Sequence, residues 1–358
     1  MAKSEVRSKR PLFFIAMMVI AIAVPLAFAE IFLRLFHPQA MMWPRLQFSP
    51  EYSVKMPPDT VMVNKMPGEW QFNYTVNADG YRGETVPITN TYEKDNIVIL
   101  GDSYSFGLGV NDGEEFPAIM SEQLQSSHNI INLGSAGWGL GQQIRRYFEF
   151  GQLFRPSTVI LQYSANDVPD NLYHAVTTVE NERFTFVDSY VPLYWLKDRL
   201  SRSFIQHSQL YNFIRQNLYW YFRGQSLEDN LDRADTQNED RKLVQTYNDL
   251  LTVFVEYLKS EGIGVMYIAV NDQLDFYPKV KDHVKALDDD GMIDYVEVAD
   301  WFEGVTDYAS PEGHYWGEKA HAIVGDKLAD VISSLKSPDG QNAPDGENAD
   351  DAPKESTI

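Results

Sequence analysis

A series of short, uninterrupted apolar runs, each closed by small or turn-forming residues and followed by a helical stripe, constrains this chain more than any other feature. Ile97-Val98-Ile99-Leu100, closed by Gly101, reads as a strand buried on both faces. Phe116, Ile119, Met120 and Leu124 then fall on one stripe and predict a helix over 115–125. The pattern repeats with a strand over 129–133, a helix over 141–154 and a strand over 158–163. Leu243, Tyr247, Leu250, Leu251, Phe254 and Leu258 mark a helix over 241–259, which Gly262 stops. A strand over 265–270, a fifth over 293–298 and a closing helix over 320–335 complete the series. Such alternation predicts an α/β domain, a parallel sheet covered by helices on both faces.

The segments flanking this core divide the chain further. Hydrophobic residues make up 44% and aromatics 13%, enough to bury a sizeable core. Lys3, Arg7, Lys9 and Arg10 precede an uncharged run from Pro11 to Ala29. As a helix at ~1.5 Å per residue, that run rises ~30 Å, the thickness of a bilayer's hydrocarbon core. Basic residues on its N-terminal side keep that end in the cytoplasm and place the rest of the chain outside, in the periplasm or its equivalent. Ala27-Phe28-Ala29 also reads as a signal-peptidase site. Apolar character resumes at Ile31-Phe32-Leu33, which favours an uncleaved anchor. The expected organisation is a cytoplasmic segment over 1–10, a transmembrane signal-anchor over 11–36 and an extended lead-in over 37–93. The catalytic-type domain covers 94–336, with an aromatic-rich insert over 168–236 that includes Tyr219-Trp220-Tyr221-Phe222. A disordered acidic tail covers 337–358. The insert's aromatics read as a satellite core packed on the lead-in, with an acyl groove or sugar-stacking surface as the other reading.

The net charge of −21 argues against a nucleic-acid partner, because phosphate binding needs clustered Lys and Arg. Without cysteine, disulfides, thiol chemistry and Cys-based metal sites are excluded. His128 and His283 stand without metal-ligand spacing, and Asp288-Asp289-Asp290 reads as a solvated loop. His321, on the closing helix, reads as a surface or capping histidine. Neither a metal nor an organic cofactor is expected.

Chemistry concentrates at the strand ends. Gly101-Asp102-Ser103 ends the first strand, where ligands bind in open parallel sheets. The second ends in Asn132-Leu133-Gly134-Ser135-Ala136-Gly137 and the third in Ser164-Ala165-Asn166-Asp167; Glu312-Gly313-His314 precedes the closing helix. A nucleophile, a backbone donor, an amide donor and an imidazole are the roles acyl transfer requires. Asp102 reads as a turn residue, and Asp167 and Asp170 as residues that hold the mouth.

In this order the blocks resemble the GDSL/SGNH hydrolase family over roughly Ile97 to Leu335. The resemblance implies a three-layer α/β/α sandwich with a flavodoxin-like sheet and a serine acyl-ester hydrolase. It implies that Ser103 attacks, that His314 takes and returns its proton, and that the N–H groups of Ser103 and Gly137 and the Asn166 side chain form an oxyanion hole. Ser164 stands where the family has glycine. The family's Asp before the histidine is replaced by Pro311 and Glu312, so Glu312 is the candidate acid and Asp307 the fallback. Expected substrates are esters of acylated carbohydrate or lipid, with O-acetylated polysaccharide first. The rivals are a polysaccharide O-acetyltransferase using the same site, working with polysaccharide-biosynthesis partners, and a non-catalytic envelope binding module.

Overall fold

The computed structural model describes residues 5–88, 94–190, 193–201, 203–218 and 236–335. The expected acidic tail and the aromatic run at 219–222 lie outside them. Helix α1 (Glu5–Phe36) contains an apolar stretch, Leu12–Phe36, with a mean hydropathy of 2.7 in its most apolar window, and nearly all of it is exposed, Leu33 being the buried exception. By length and composition it can cross a membrane. The lead-in after α1 is more ordered than an extended segment. β1 (Met41–Trp43), β2 (Gln47–Ser49), β3 (Ser53–Lys55), β4 (Thr60–Met66) and β5 (Trp70–Val76) form two small antiparallel sheets, β1-β4-β5 and β2-β3. Met56, Met62, Tyr74 and Val76 from this region pack on Phe106 and Ala136, so the lead-in shares a core with the strand-end loops.

The sandwich runs β6 (Asp95–Leu100), α2 (Ser103–Phe106), α3 (Phe116–Leu124), β7 (His128–Asn132), α4 (Leu140–Glu149), β8 (Thr158–Tyr163) and α5 (Asp167–Tyr173). A hairpin of β9 (Thr177–Glu180) and β10 (Arg183–Phe186) comes next, then α6 (Tyr194–Ser201), a helical stretch at 209–218 and α7 (Thr236–Ser260). β11 (Gly264–Ala269), α8 (Pro278–Asp289), β12 (Asp294–Val296) and α9 (Glu318–Leu335) close it. The sheet order is β12-β11-β8-β6-β7, parallel throughout, the flavodoxin-like order. Alternation along β6 explains its two apolar faces. Ile97 and Ile99 face α3 and α9, while Val98 and Leu100 face the layer of α4, α7 and α8.

Three sequence expectations change. The helix expected over 141–154 ends at Glu149 and continues as a 3-10 turn, Gly151–Phe154. There Gly151 lies so close to Tyr147 and Leu133 that an added Cβ would stand 3.1 and 3.2 Å from them. The fifth strand is shorter than 293–298, because Val298–Phe302 coils into another 3-10 turn. Helix α8 is an addition to the expected elements, although Pro278 at its start and buried Val280, Val284 and Leu287 supply the start signal and the stripe.

Candidate active site

The switch point of this strand order lies between β6 and β8, and the candidate residues gather at its carboxyl end. Asp102 caps α2 by accepting the Tyr104 N–H at 3.0 Å, which leaves Ser103 as the first helical residue. Beneath the turn lies Gln162 of β8. Its Oε1 accepts from the N–H of Asp102 at 3.2 Å and of Ser105 at 3.0 Å, and from Ser105 Oγ at 2.9 Å. A Cβ on Gly101 would stand 2.3 Å from Ser105 Oγ and 2.5 Å from Gln162 Oε1, so only glycine admits this packing. Sequence reasoning misses Gln162; its signal is a polar residue within the apolar Val159-Ile160-Leu161 run.

His314 reaches Ser103 from the loop before α9. A turn closes that loop, with the Ser310 N–H donating to His314 O at 2.9 Å and the Gly313 N–H to Ser310 O at 3.0 Å. His314 Nε2 lies 3.1 Å from Ser103 Oγ, and its Nδ1 lies 2.8 Å from Glu312 Oε2. Tyr104 sets its ring edge-on to the imidazole, 5.2 Å between centroids. Burial pulls the His314 pKa down, but the Glu312 hydrogen bond and the charges of Glu312 and Asp102 outweigh it and leave the pKa raised. Of the two candidate acids, the structure brings Glu312 to the histidine. Asp307 lies in an exposed turn with φ 56°, and the Nδ1 it would have to meet is already taken.

The other candidate donors, Gly137 and Asn166, come from the loops that leave β7 and β8. Gly137 has φ 79°, a conformation suited to glycine, and its N–H and that of Ser103 are spent on no acceptor among the described residues. Asn166 is tied down. Its Nδ2 donates to Asp102 Oδ2 at 3.3 Å and Asp170 Oδ2 at 3.1 Å, and its Oδ1 accepts from Ser164 Oγ at 2.7 Å. The two carboxylates fix which end of the amide is the donor, and a substrate oxyanion would have to take an N–H from one of them. Ser164 Oγ also stands 2.6 Å from Asp102 Oδ2, so the hydroxyl that replaces a glycine hydrogen-bonds within this network. Asp167 is fully buried; burial and the Asp102 charge hold its pKa well above the carboxylate range, against the Ser164 N–H bond that favours ionisation. His321 is buried rather than on the surface. It accepts the Phe116 N–H at 3.2 Å, stacks on Phe116, and is kept neutral by burial, its pKa lowered to about 3.

No family model matches the chain, and no curated protein matches it. Similar solved structures are G-D-S-L-type lipolytic proteins and lipases. A lipase from a goat rumen metagenome is 13% identical with a TM-score of 0.42, over 66% of this chain and 97% of that one. A member of the lipolytic protein G-D-S-L family from Veillonella parvula is 14% identical, TM-score 0.38, over 66% and 98%. The lipase/acylhydrolase from Enterococcus faecalis is 11% identical, TM-score 0.41, over 68% and 98%. At such identities and scores, chemistry is assigned from the geometry of the site alone.

That geometry is braced by a residue outside the sandwich. Arg82 has a fully buried side chain that donates to the carbonyls of Phe106, Gly107 and Val110 and pairs with Asp112 at 3.0 Å and Glu115 at 3.4 Å. It therefore clamps the loop that leaves α2. Tyr74 OH accepts the Gly109 N–H at 3.1 Å, and Ser310 Oγ donates to Gly109 O at 2.9 Å. Arg82 comes just after Asn77-Ala78-Asp79-Gly80, a stretch that reads only as a turn; no periodicity marks a buried arginine in such a segment.

Proposed function

We propose that this chain is a serine acyl-ester hydrolase that works through a Ser103 acyl-enzyme. The carrying observation is the Ser103–His314–Glu312 relay, at 3.1 and 2.8 Å, with the N–H groups of Ser103 and Gly137 spent on no acceptor among the described residues. Ser103 Oγ attacks the ester carbonyl carbon while its proton passes to His314 Nε2. Glu312 holds the other ring N–H and stabilises the imidazolium. The N–H groups of Ser103 and Gly137, with one from Asn166, receive the oxyanion; such donors are worth ~3 kcal/mol each. His314 then returns the proton to the leaving alcohol as the C–O bond breaks. Water, activated by the same histidine, releases the acid and restores Ser103.

The finer reading is an envelope enzyme held by α1, its N-terminus in the cytoplasm and its domain outside, acting on O-acetylated polysaccharide. The length, apolarity and exposure of Leu12–Phe36 support the anchor. The test uses the full chain in detergent with p-nitrophenyl acetate, an acetylated-polysaccharide panel and a fluorophosphonate label. Turnover and labelling should vanish in Ser103→Ala, and turnover in His314→Ala. Acetate release is expected to exceed transfer to added glycan; dominant transfer would make it an acetyltransferase. A folded wild type that neither labels nor turns over would leave a binding module.

A further inference from the structure

Among the described residues, the stretch of the aromatic insert from Tyr190 to Phe204 buries less than a satellite core should. Tyr190 is 87% exposed, Leu193 60%, Trp195 64% and Phe204 89%, and none of them belongs to a hydrophobic core of the described residues. Single exposed apolar side chains need no explanation, but a cluster along one segment does. This one sits where α1 meets the domain. Glu30 accepts from Ser208 Oγ at 2.8 Å and from the N–H groups of Gln209 at 3.0 Å and Leu210 at 2.9 Å. Arg34 Nη2 donates to His207 O at 3.1 Å. His207 in turn packs on Trp43, 5.2 Å between centroids, and lies against Phe204 at 6.5 Å.

The depth is set by α1. About 20 helical residues cross ~30 Å of hydrocarbon. Counted from Leu12, the span runs out near Ile31, between the two α1 residues that grip 207–210. The segment carrying Phe204 is therefore held at the level where acyl chains give way to headgroups. Trp and Tyr favour that layer, because each has an apolar ring and a polar edge. At the same junction Arg34 is ion-paired with Glu30 at 2.7 Å, and the pair grips 207–210 through hydrogen bonds.

We propose that α6 and the turn after it, through Trp195 and Phe204 with Tyr190 and Leu193 beside them, form a second membrane contact that dips into the outer headgroup layer. The occupant is the bilayer that holds α1. The proposal rests on reading α1 as a membrane span and is independent of the ester chemistry. One helix alone lets a domain swivel about its axis; a second contact fixes the domain's tilt. Because the chain carries −21 net charge, attraction to anionic lipid cannot hold the contact, and it should persist at high salt.

The absence of cysteine makes the test clean. Phe204→Cys, Val19→Cys and Asp330→Cys are each labelled with nitrobenzoxadiazole in the full chain and reconstituted into phosphatidylcholine vesicles carrying a shallow acyl-chain nitroxide. The Phe204 label should emit to the blue and be quenched about threefold more than the Asp330 label, with or without salt, as an interfacial residue would be. Quenching at Val19 with the Phe204 label behaving like Asp330 would overturn the contact and leave the anchor standing. No quenching at either position would remove both. A blue shift at Phe204 that grows with protein concentration but ignores the nitroxide would assign the patch to a second copy of the chain.

Discussion

Replacing Glu312 with glutamine isolates the role of its charge. The variant keeps an oxygen for the His314 Nδ1–H, which lies 2.8 Å from Oε2, but loses the carboxylate that stabilises the imidazolium as Ser103 gives up its proton. Two unit charges ~4 Å apart attract by ~4 kcal/mol at an effective dielectric of ~20. The side chains are 21% and 14% exposed, so solvent trims this only modestly. A loss of roughly 2–4 kcal/mol corresponds to a fall in kcat of about 30- to 1000-fold. If the new amide turns its NH2 toward Nδ1 and selects the wrong tautomer, the loss grows further. The pH profile supplies an independent sign. Burial lowers the His314 pKa, and Glu312 and Asp102 raise it to a net increase. Removing the Glu312 charge leaves burial less opposed, so the acidic limb of kcat/KM should move to lower pH while its plateau drops. Ester turnover by the full chain across the acidic and neutral range measures both, with circular dichroism confirming the fold. A kcat within about threefold of wild type, or an acidic limb that stays in place, would refute the relay. Asp307→Asn, run beside it, should match wild type within about twofold, as a surface change does.

Other residues give sharper or broader effects. Asn166→Ala should lower kcat by about 10²–10³ with little change in KM, as loss of an oxyanion donor does; unchanged kcat in steady-state assays would remove Asn166 from the hole. Arg82→Ala leaves buried Glu115 and three carbonyls without their partner, so urea unfolding should show a loss of about 3–5 kcal/mol, and a loss under ~1 would deny Arg82 its bracing role. Asp167 holds its proton more tightly when folded than when unfolded, where it ionises near 3.8, so its contribution to stability falls as pH rises above that value. Asp167→Asn should therefore gain Tm relative to wild type from pH ~4 toward pH ~8, and a difference flat with pH would contradict a protonated buried Asp167.

The parallel, doubly covered sheet was legible because β6, β7, β8 and β11 are apolar on both faces, a signal that depends only on local composition, whereas its strand order was implied only by the family resemblance. The positions of Ser103, Gly137, Asn166 and His314 were legible because strand ends and one late loop carry them, and the topology brings those together at a single edge. Long-range partnerships were not. Nothing near Gln162 states that its amide will hold the turn at Ser105, because the pairing depends on β8 lying beside β6. His321 resembles a surface residue because its helix is amphipathic on average; α3 packs against it and buries the ring. The choice between Glu312 and Asp307 also lay beyond spacing. It turns on the direction of one loop, which the Ser310–His314 turn sets.

The lead-in changes what counts as the unit that builds the candidate site. Ser103 and His314 stand 211 residues apart in sequence, and the loop at 107–113 passes between their supports. On one side, Arg82 and Tyr74 hold that loop, and Asp112 accepts the Thr75 N–H at 3.0 Å. On the other, Ser310 grips Gly109, where an added Cβ would stand 2.9 Å from Glu312 Oε2. A relay with a tolerance of tenths of an ångström is thus set by packing that begins in the segment leading from α1. Here the segment that joins α1 to the sandwich is also the wall against which the Ser103 loop is set, so the lead-in and the geometry of the candidate site are built together.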